Sequence, residues 1–132
     1  MLAINLTGTM LGCKTAIALM KDSGRPGVIV NVASTTSFAA LPGDAAYTAS
    51  KGAIRMLTKS VAAYCARAGY AIRCNALAPG ATDTGMLQVP DEVRAAMVNM
   101  SLLGRIAAPE EMAAAIVFLA SDASAYVTGI NL

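Results

Sequence analysis

Hydrophobic and polar positions along the first thirty residues follow two different periods. Residues 2–20 carry apolar or small side chains around most of a helical circumference, which predicts a helix that is buried on more than one side. Gly8 and Gly12 interrupt this helix. Glycine destabilises a helix interior, and this loss of stability is tolerated where another element packs closely against the helix. After a turn at residues 22–27, Val28–Val32 is a short β-branched run, typical of a strand covered on both faces.

The same alternation continues to the last residue. Ala46–Ala68 is a long helical pattern, and Tyr70–Leu77 is a second buried strand. Pro109 opens a further helix whose apolar part is Ala113–Ala120, and Tyr126–Leu132 has the pattern of the entry to another strand. Helices that alternate with buried strands predict βαβ units around a parallel sheet, so the fold class is α/β.

One long irregular stretch, residues 78–108, contains a predicted short helix at Asp91–Met100. Connections of this length in a compact domain are usually functional. The stretch carries an apolar set that could close over an apolar ligand or pack onto the core: Met86, Leu87, Val89, Met97, Met100, Leu102 and Leu103.

Composition narrows the class of protein. The 132 residues suffice for one domain, and with 56% hydrophobic and 14% charged residues the chain can bury enough surface to fold. No uninterrupted apolar run approaches the roughly 20 residues of a membrane helix, and no signal peptide is recognised, so we expect no membrane partner. A chain this apolar is expected to lose surface to other layers or to partner subunits.

Charge and cysteine usage exclude several chemistries. The net charge is +2 without a basic stripe, which gives no support to nucleic-acid binding. Histidine is absent, and the widely spaced Cys13, Cys65 and Cys74 supply neither a zinc ligand set nor a disulfide framework. We therefore expect no metal and a reducing, cytoplasmic location. Any proton transfer must use Tyr, Lys, Ser, Cys or carboxylate groups.

Tyr47, Lys51 and Ser34 form the pattern with the most chemical content. Tyr47 is the only one of the four tyrosines with a lysine four residues later, a spacing that places both side chains on one helix face. A neighbouring ammonium favours the phenolate and lowers a phenol pKa from about 10 toward the working range of an acid–base group. Ser34 lies thirteen residues before the tyrosine and could hydrogen-bond a reacting oxygen. By itself, the pair is also compatible with a chance arrangement on an exposed helix.

Five motifs in order make the chain resemble the short-chain dehydrogenase/reductase (SDR) family over nearly its whole length. They are Ile4-Asn5-Leu6, Val30 to Ser34, Tyr47 to Lys51, Asn75 to Gly80 with Thr84, and Tyr126 to Gly129. Each motif is weak alone, but five in register are specific. The resemblance implies a Rossmann-type, doubly wound parallel sheet.

The resemblance also implies roles for single residues. Tyr47 is the expected acid–base, Lys51 holds the nicotinamide ribose and lowers the tyrosine pKa, and Ser34 orients the substrate oxygen. Asn5 completes a proton relay through water, although a helix asparagine that bonds locally explains it nearly as well. The residues expected beside the nicotinamide, which an ordinary strand-end turn would also explain, are Pro79, Gly80, Thr82 and Thr84.

The chain departs from the family pattern in one respect. The Gly-rich first βα turn that cradles the pyrophosphate has no counterpart, nor has the residue that selects NAD or NADP. Residues 1–132 therefore resemble the C-terminal half of an SDR domain, with residues 82–108 as its substrate loop. We call the expected complete polypeptide the parent protein. Residues 65–75 resemble NAD-linked hydroxysteroid and cyclic-alcohol members, which favours NAD over NADP.

The leading hypothesis is an NAD(P)-dependent oxidoreductase that interconverts a secondary alcohol and a ketone. A second hypothesis is a non-catalytic fragment that retains only packing and association surfaces. A third, epimerisation or dehydration of a sugar nucleotide, needs a larger substrate domain than this tail allows. By resemblance to the family, helices 2–20 and 46–68 are expected to form a homodimer or homotetramer interface.

Overall fold

The computed structural model describes residues 1–132, and its first element is a helix with two geometries. Ala3–Thr7 forms a π-helical turn, and α1 (Gly8–Met20) continues it as a regular α-helix. Gly8 at the junction donates its backbone N–H to the carbonyl of Ala3, a π-type step. The helix predicted from residue 2 to residue 20 is therefore confirmed, with a wide turn around Asn5 that the periodicity does not indicate.

Two parallel strands form the sheet. β1 (Gly27–Val32) pairs with β2 (Ile72–Leu77) in register, from Gly27 opposite Ile72 to Val32 opposite Leu77. On the other side of β2, Ala76 forms a parallel bridge with Asn131, so the predicted last strand is present as a single bridge. The order β1, β2, residue 131 leaves the outer edge of β1 without a partner within the chain.

Helix α2 (Ala45–Arg67) connects the two strands and packs mainly on β2. The Asp44 carboxylate accepts a hydrogen bond from the Tyr47 backbone N–H at 3.2 Å, which caps the helix. The main core cluster lies between α1, α2 and the sheet and consists of Cys13, Ile29, Ala62, Cys65, Ile72 and Cys74. This βαβ arrangement of two parallel strands confirms the predicted α/β class and brings the carboxyl ends of β1 and β2 side by side.

Two more helices complete the chain. α3 (Asp91–Met100) lies within the long connection and buries no residue completely, whereas α4 (Pro109–Ala120) buries Leu119. The Arg73 guanidinium fixes the C-terminal end of α4, because it donates to the carbonyls of Leu119 and Ser121 at 3.1 Å each. It also donates to Ser124 Oγ and to the Val127 carbonyl, which ties the following 3₁₀ turn to β2.

The helical segment Ala3–Met20 is exposed and apolar. Its length and mean hydropathy of 1.2 would suffice for a membrane span by composition alone, and 6% of its residues are buried. A mostly buried core helix of a soluble protein and a signal sequence meet the same criterion. An apolar surface of this kind also suits a protein–protein contact. A Cβ added at Gly12 would meet no atom within 4 Å, so this side of α1 is open in the single chain.

The second strand begins two residues later than the sequence pattern predicts. Gly69 adopts a φ of +72° after the end of α2, and the Tyr70 backbone N–H bonds to the Cys65 carbonyl. Ile72 N–H then bonds to the Tyr70 carbonyl before the ladder starts. Tyr70 is thus part of the helix C-terminal turn, although its side chain has the β propensity of a strand residue.

Candidate functional site

A cavity of about 810 Å³ opens at the carboxyl ends of β1 and β2. In open α/β sheets this is the edge where ligands bind. All eight residues predicted to be functional line this one cavity: Asn5, Ser34, Tyr47, Lys51, Pro79, Gly80, Thr82 and Thr84. They come from four separate parts of the chain, so the fold, and not proximity in sequence, brings them together.

Tyr47 and Lys51 share one face in the first two turns of α2. The Lys51 Nζ lies 5.7 Å from the centroid of the Tyr47 ring, within the range of a cation–π contact. The spacing of four residues produces this proximity, as the sequence predicts. The two groups are therefore positioned for the ammonium to act on the phenol electrostatically.

Lys51 is anchored to the end of β1. Its Nζ donates a hydrogen bond of 2.9 Å to the Val32 carbonyl. Partial burial lowers the pKa of Lys51, because desolvation disfavours the ammonium. An ammonium has three N–H donors, so two remain for a ligand that enters the cavity.

The loops that follow the two strands are joined at the wall of the cavity. The Thr35 backbone N–H donates to the Pro79 carbonyl at 3.0 Å, directly after Ser34. Ser34 is 8% exposed, and its Oγ accepts a hydrogen bond from the Thr36 N–H at 3.2 Å, which opens a 3₁₀ turn. Because that bond uses an acceptor site, the hydroxyl proton of Ser34 stays available to a ligand.

Asn5 reaches the site through the π-helical turn. Its side-chain Nδ2 donates to Ser50 Oγ at 3.0 Å, and Ser50 Oγ donates to the Tyr47 carbonyl at 2.7 Å. The backbone carbonyl of Asn5 accepts a hydrogen bond from Thr9 Oγ1 at 2.6 Å. The first helix is thereby connected to the helix that carries Tyr47 and Lys51. Sequence reasoning did not identify Ser50, whose small size and position beside Lys51 give little signal.

The remaining wall of the cavity is largely apolar. Met86 and Leu87 of the predicted substrate loop lie on it, together with Met112 and Ile116 of α4. The last two residues were not predicted, because an apolar residue on a helix gives no sign of whether it faces a core or a cavity. In total, 11 of the 19 lining residues are hydrophobic, so the cavity suits a ligand with one polar end and an apolar body.

The end of the long connection is attached to α4 by an ion pair. Arg105 donates to both carboxylate oxygens of Glu111, each at 2.6 Å, and the Ala108 N–H donates to the same carboxylate at 2.8 Å. Arg105, and secondly the Ala108 N–H, lower the pKa of Glu111 to about 2. The other end of the connection has a second exposed pair, Arg94 with Asp83 at 2.9 Å.

We expect Glu111→Gln to lower the Tm of the parent protein by roughly 1–3 °C at pH 7, because the pair is exposed and screened. A folded-state pKa below the unfolded value gives stabilisation that is complete above about 4.5 and is lost as the pH falls toward 2. The Tm difference between wild type and variant should therefore narrow between pH 5 and pH 3. Glu110→Gln, in the same helical turn, is the control; an equal loss in both variants at pH 7 would contradict the assignment.

The three cysteines lie outside this cavity. All are buried free thiols, and Cys13 Sγ contacts Asn31 Oδ1 at 3.5 Å while Asn31 Nδ2 contacts Cys74 Sγ at 3.7 Å. Interaction with the neighbouring Cys74 thiol lowers the pKa of Cys13, and interaction with Cys13 together with burial raises the pKa of Cys74. These groups form a polar cluster inside the core, and none of the three cysteines lines the cavity that contains Tyr47.

Comparison with known proteins gives matches over the whole chain. The family model described as enoyl-(acyl carrier protein) reductase matches residues 1–132. The chain is 43% identical to 3beta-hydroxysteroid dehydrogenase 1 of Eggerthella lenta, with 98% of the chain and 50% of that protein aligned. It is 42% identical to 2-(R)-hydroxypropyl-CoM dehydrogenase of Xanthobacter autotrophicus (99% and 52% aligned) and 40% identical to cyclopentanol dehydrogenase of Comamonas testosteroni (98% and 52%). The chain thus spans about half the length of the curated relatives it matches.

Proposed function

Because the chain belongs to the short-chain dehydrogenase/reductase family, we propose that it carries the catalytic half of an NAD(P)-dependent oxidoreductase acting on secondary alcohols and ketones. The observation that carries this proposal is the single cavity shared by Ser34, Tyr47, Lys51 and Asn5. The parent protein is the proposed enzyme, with a nucleotide-binding half in addition to these residues. A cytoplasmic location is part of the same proposal.

The donor set of the cavity fits the nicotinamide end of a dinucleotide. Lys51 has two N–H donors left for ribose hydroxyls after its bond to Val32. Pro79 and Gly80 line the same part of the cavity wall as Thr82 and Thr84, whose hydroxyls can bond an amide group. Bound there, the nicotinamide supplies or accepts the hydride. The present residues do not discriminate between NAD and NADP, and the resemblance of residues 65–75 favours NAD.

In the reduction direction, the proposed mechanism uses three protein groups. The Ser34 hydroxyl donates a hydrogen bond to the carbonyl oxygen of the substrate and fixes its position. The Tyr47 hydroxyl gives its proton to that oxygen as the carbonyl carbon is reduced, and in oxidation it takes the proton back. The Lys51 ammonium, 5.7 Å from the Tyr47 ring, stabilises the phenolate that this transfer leaves.

The apolar wall supports a substrate class. A ketone placed against Ser34 and Tyr47 has Leu87, Met112 and Ile116 around the rest of the same cavity. Hydrocarbon rings or chains gain free energy from such contacts, whereas phosphorylated or sugar substrates gain little. We therefore propose as the substrate a secondary alcohol on an apolar ring or chain.

The test is turnover by the parent protein. Absorbance at the reduced-nicotinamide band should change when cyclopentanol or a 3β-hydroxysteroid is supplied with NAD or NADP, and the reaction should reverse with the ketone. Primary alcohols of similar size serve as the control, and absence of turnover with every secondary alcohol of a small panel would reject the proposal.

We further propose a homo-oligomer, formed through the exposed faces of α1 and α2. Met10, Leu11 and Leu19 of α1 and Met56 of α2 are each about half exposed or more, an arrangement typical of a subunit contact. Light scattering of the parent protein at micromolar concentration should give a dimer or tetramer. Leu11→Lys should shift the mass toward the monomer, whereas the same change at Met100 of α3, which is 79% exposed, should not. A wild-type monomer would contradict the expectation.

A further inference from the structure

Ser50 makes two hydrogen bonds that connect Asn5 to the backbone at Tyr47. It is completely buried, with 0% of its surface exposed. Its Oγ donates to the Tyr47 carbonyl at 2.7 Å and accepts from Asn5 Nδ2 at 3.0 Å, across 45 residues of sequence. Both bonds have good length, and no solvent competes for them.

The direction of these bonds determines the orientation of the Asn5 amide. A serine hydroxyl has one proton, and the Tyr47 carbonyl, which is an obligate acceptor, takes it. The Ser50 oxygen can then only accept, so the atom of Asn5 that faces it must be the amide nitrogen. The amide oxygen of Asn5 and its second amide N–H have no partner in the protein, and Asn5 lines the cavity. Asn5 therefore presents an acceptor to the site.

We propose that Ser50 is a positioning residue: it fixes the amide of Asn5 with its acceptor available to the site and holds the π-helical turn against the start of α2. This inference rests on the proposed oxidoreductase function. Without the Ser50 hydroxyl, the Asn5 amide loses its bonding partner and is free to rotate or flip. The acceptor that Asn5 offers to a water or ammonium at the site is then present only part of the time.

The experiment compares Ser50→Ala with Thr58→Val in the parent protein. Both changes remove a hydroxyl without adding bulk, and both positions are on α2 with 0% exposure. Thr58 is a close match: its Oγ1 donates to the Ile54 carbonyl at 2.9 Å and accepts from Asn31 Nδ2 at 2.9 Å, away from the cavity. Both variants should lose a few °C in Tm. Only Ser50→Ala should lose kcat, by about tenfold, with the KM for cofactor within twofold of wild type.

A double variant identifies the route of the effect. If Ser50 acts through Asn5, Ser50→Ala should change kcat less than twofold when Asn5 is already alanine. Losses that multiply in the double variant, or equal kcat losses for Ser50→Ala and Thr58→Val, would overturn the positioning role while leaving the proposed function intact. Absence of turnover in the wild-type parent protein would instead reject the proposed function, and the positioning role with it.

Discussion

Tyr47→Phe in the parent protein is expected to reduce kcat by a factor of about 100 or more, with cofactor affinity within a few-fold of wild type. The substitution removes only the hydroxyl, which is the group proposed to move the proton, and keeps the ring that Lys51 contacts at 5.7 Å. The measurements are steady-state kinetics with a secondary alcohol and fluorescence titration of reduced cofactor. Residual activity above a tenth of wild type would contradict the assignment of Tyr47.

The control for this variant is Tyr64→Phe on the same helix. Tyr64 is 55% exposed and packs edge-on against Tyr70, with ring centroids 6.1 Å apart, outside the cavity. Its hydroxyl is not part of the proposed chemistry, so its removal should leave kcat unchanged. Lys51→Ala gives a useful contrast, because loss of the ammonium should weaken cofactor binding and reduce kcat together. Unchanged cofactor binding in that variant would show that Lys51 has another partner.

Residues 1–132 expressed alone are expected to aggregate and to bind neither NAD(H) nor NADP(H) measurably. The isolated chain has an accessible surface of 8229 Å², whereas a folded monomer of this size exposes about 6500 Å². The excess, about 1700 Å², is roughly twice the area of about 800 Å² that one partner buries in a standard protein–protein interface. The outer edge of β1 is also unpaired, and an exposed parallel edge promotes association between chains.

Solubility, light scattering and cofactor titration of the isolated chain test this expectation. The pyrophosphate of a dinucleotide needs a glycine loop at a helix N-terminus, and no such turn is recognisable in these 132 residues, so most of the affinity should be missing. Adding a separately expressed nucleotide-binding half of a relative provides a positive control by complementation. A soluble isolated chain that reduces ketones would overturn the expectation and require a different dinucleotide site.

The parts of the fold that periodicity predicted are those where one residue property dominates. The β-branched run at Val28–Val32 and the long apolar helix at Ala46–Ala68 appear within one residue of their predicted bounds, at Gly27–Val32 and Ala45–Arg67. The predicted site residues also converge, because both Ser34 and the Pro79 loop follow parallel strands and so lie at the same edge of the sheet. The resemblance to a family supplied their roles, which geometry alone does not contain.

The features that the sequence did not predict depend on contacts between distant residues. The π-helical turn around Asn5 has no mark in the apolar pattern, since one extra residue per turn changes no side-chain type. The place of Ser50 in the site depends on its hydrogen bond to Asn5, 45 residues away, which the sequence around Ser50 does not indicate. Likewise, Met112 and Ile116 line the cavity because α4 crosses it, a fact of packing that α4's own sequence does not specify.

The two ends of α4 are held by different kinds of contact, and this difference would allow the helix to tilt beside the cavity. At the C-terminal end, the partly buried Arg73 donates hydrogen bonds to the carbonyls of Leu119 and Ser121. At the N-terminal end, Glu111 forms an exposed ion pair with Arg105. A helix of this length is a rod of about 18 Å, so a tilt of about 5° about the Arg73 end moves the other end by about 1.5 Å. Met112 lies near that far end. Small rotations of α4 would thus change the width of the apolar wall, and the bridge between Ala107 and Thr82 would transmit them to the loop after β2.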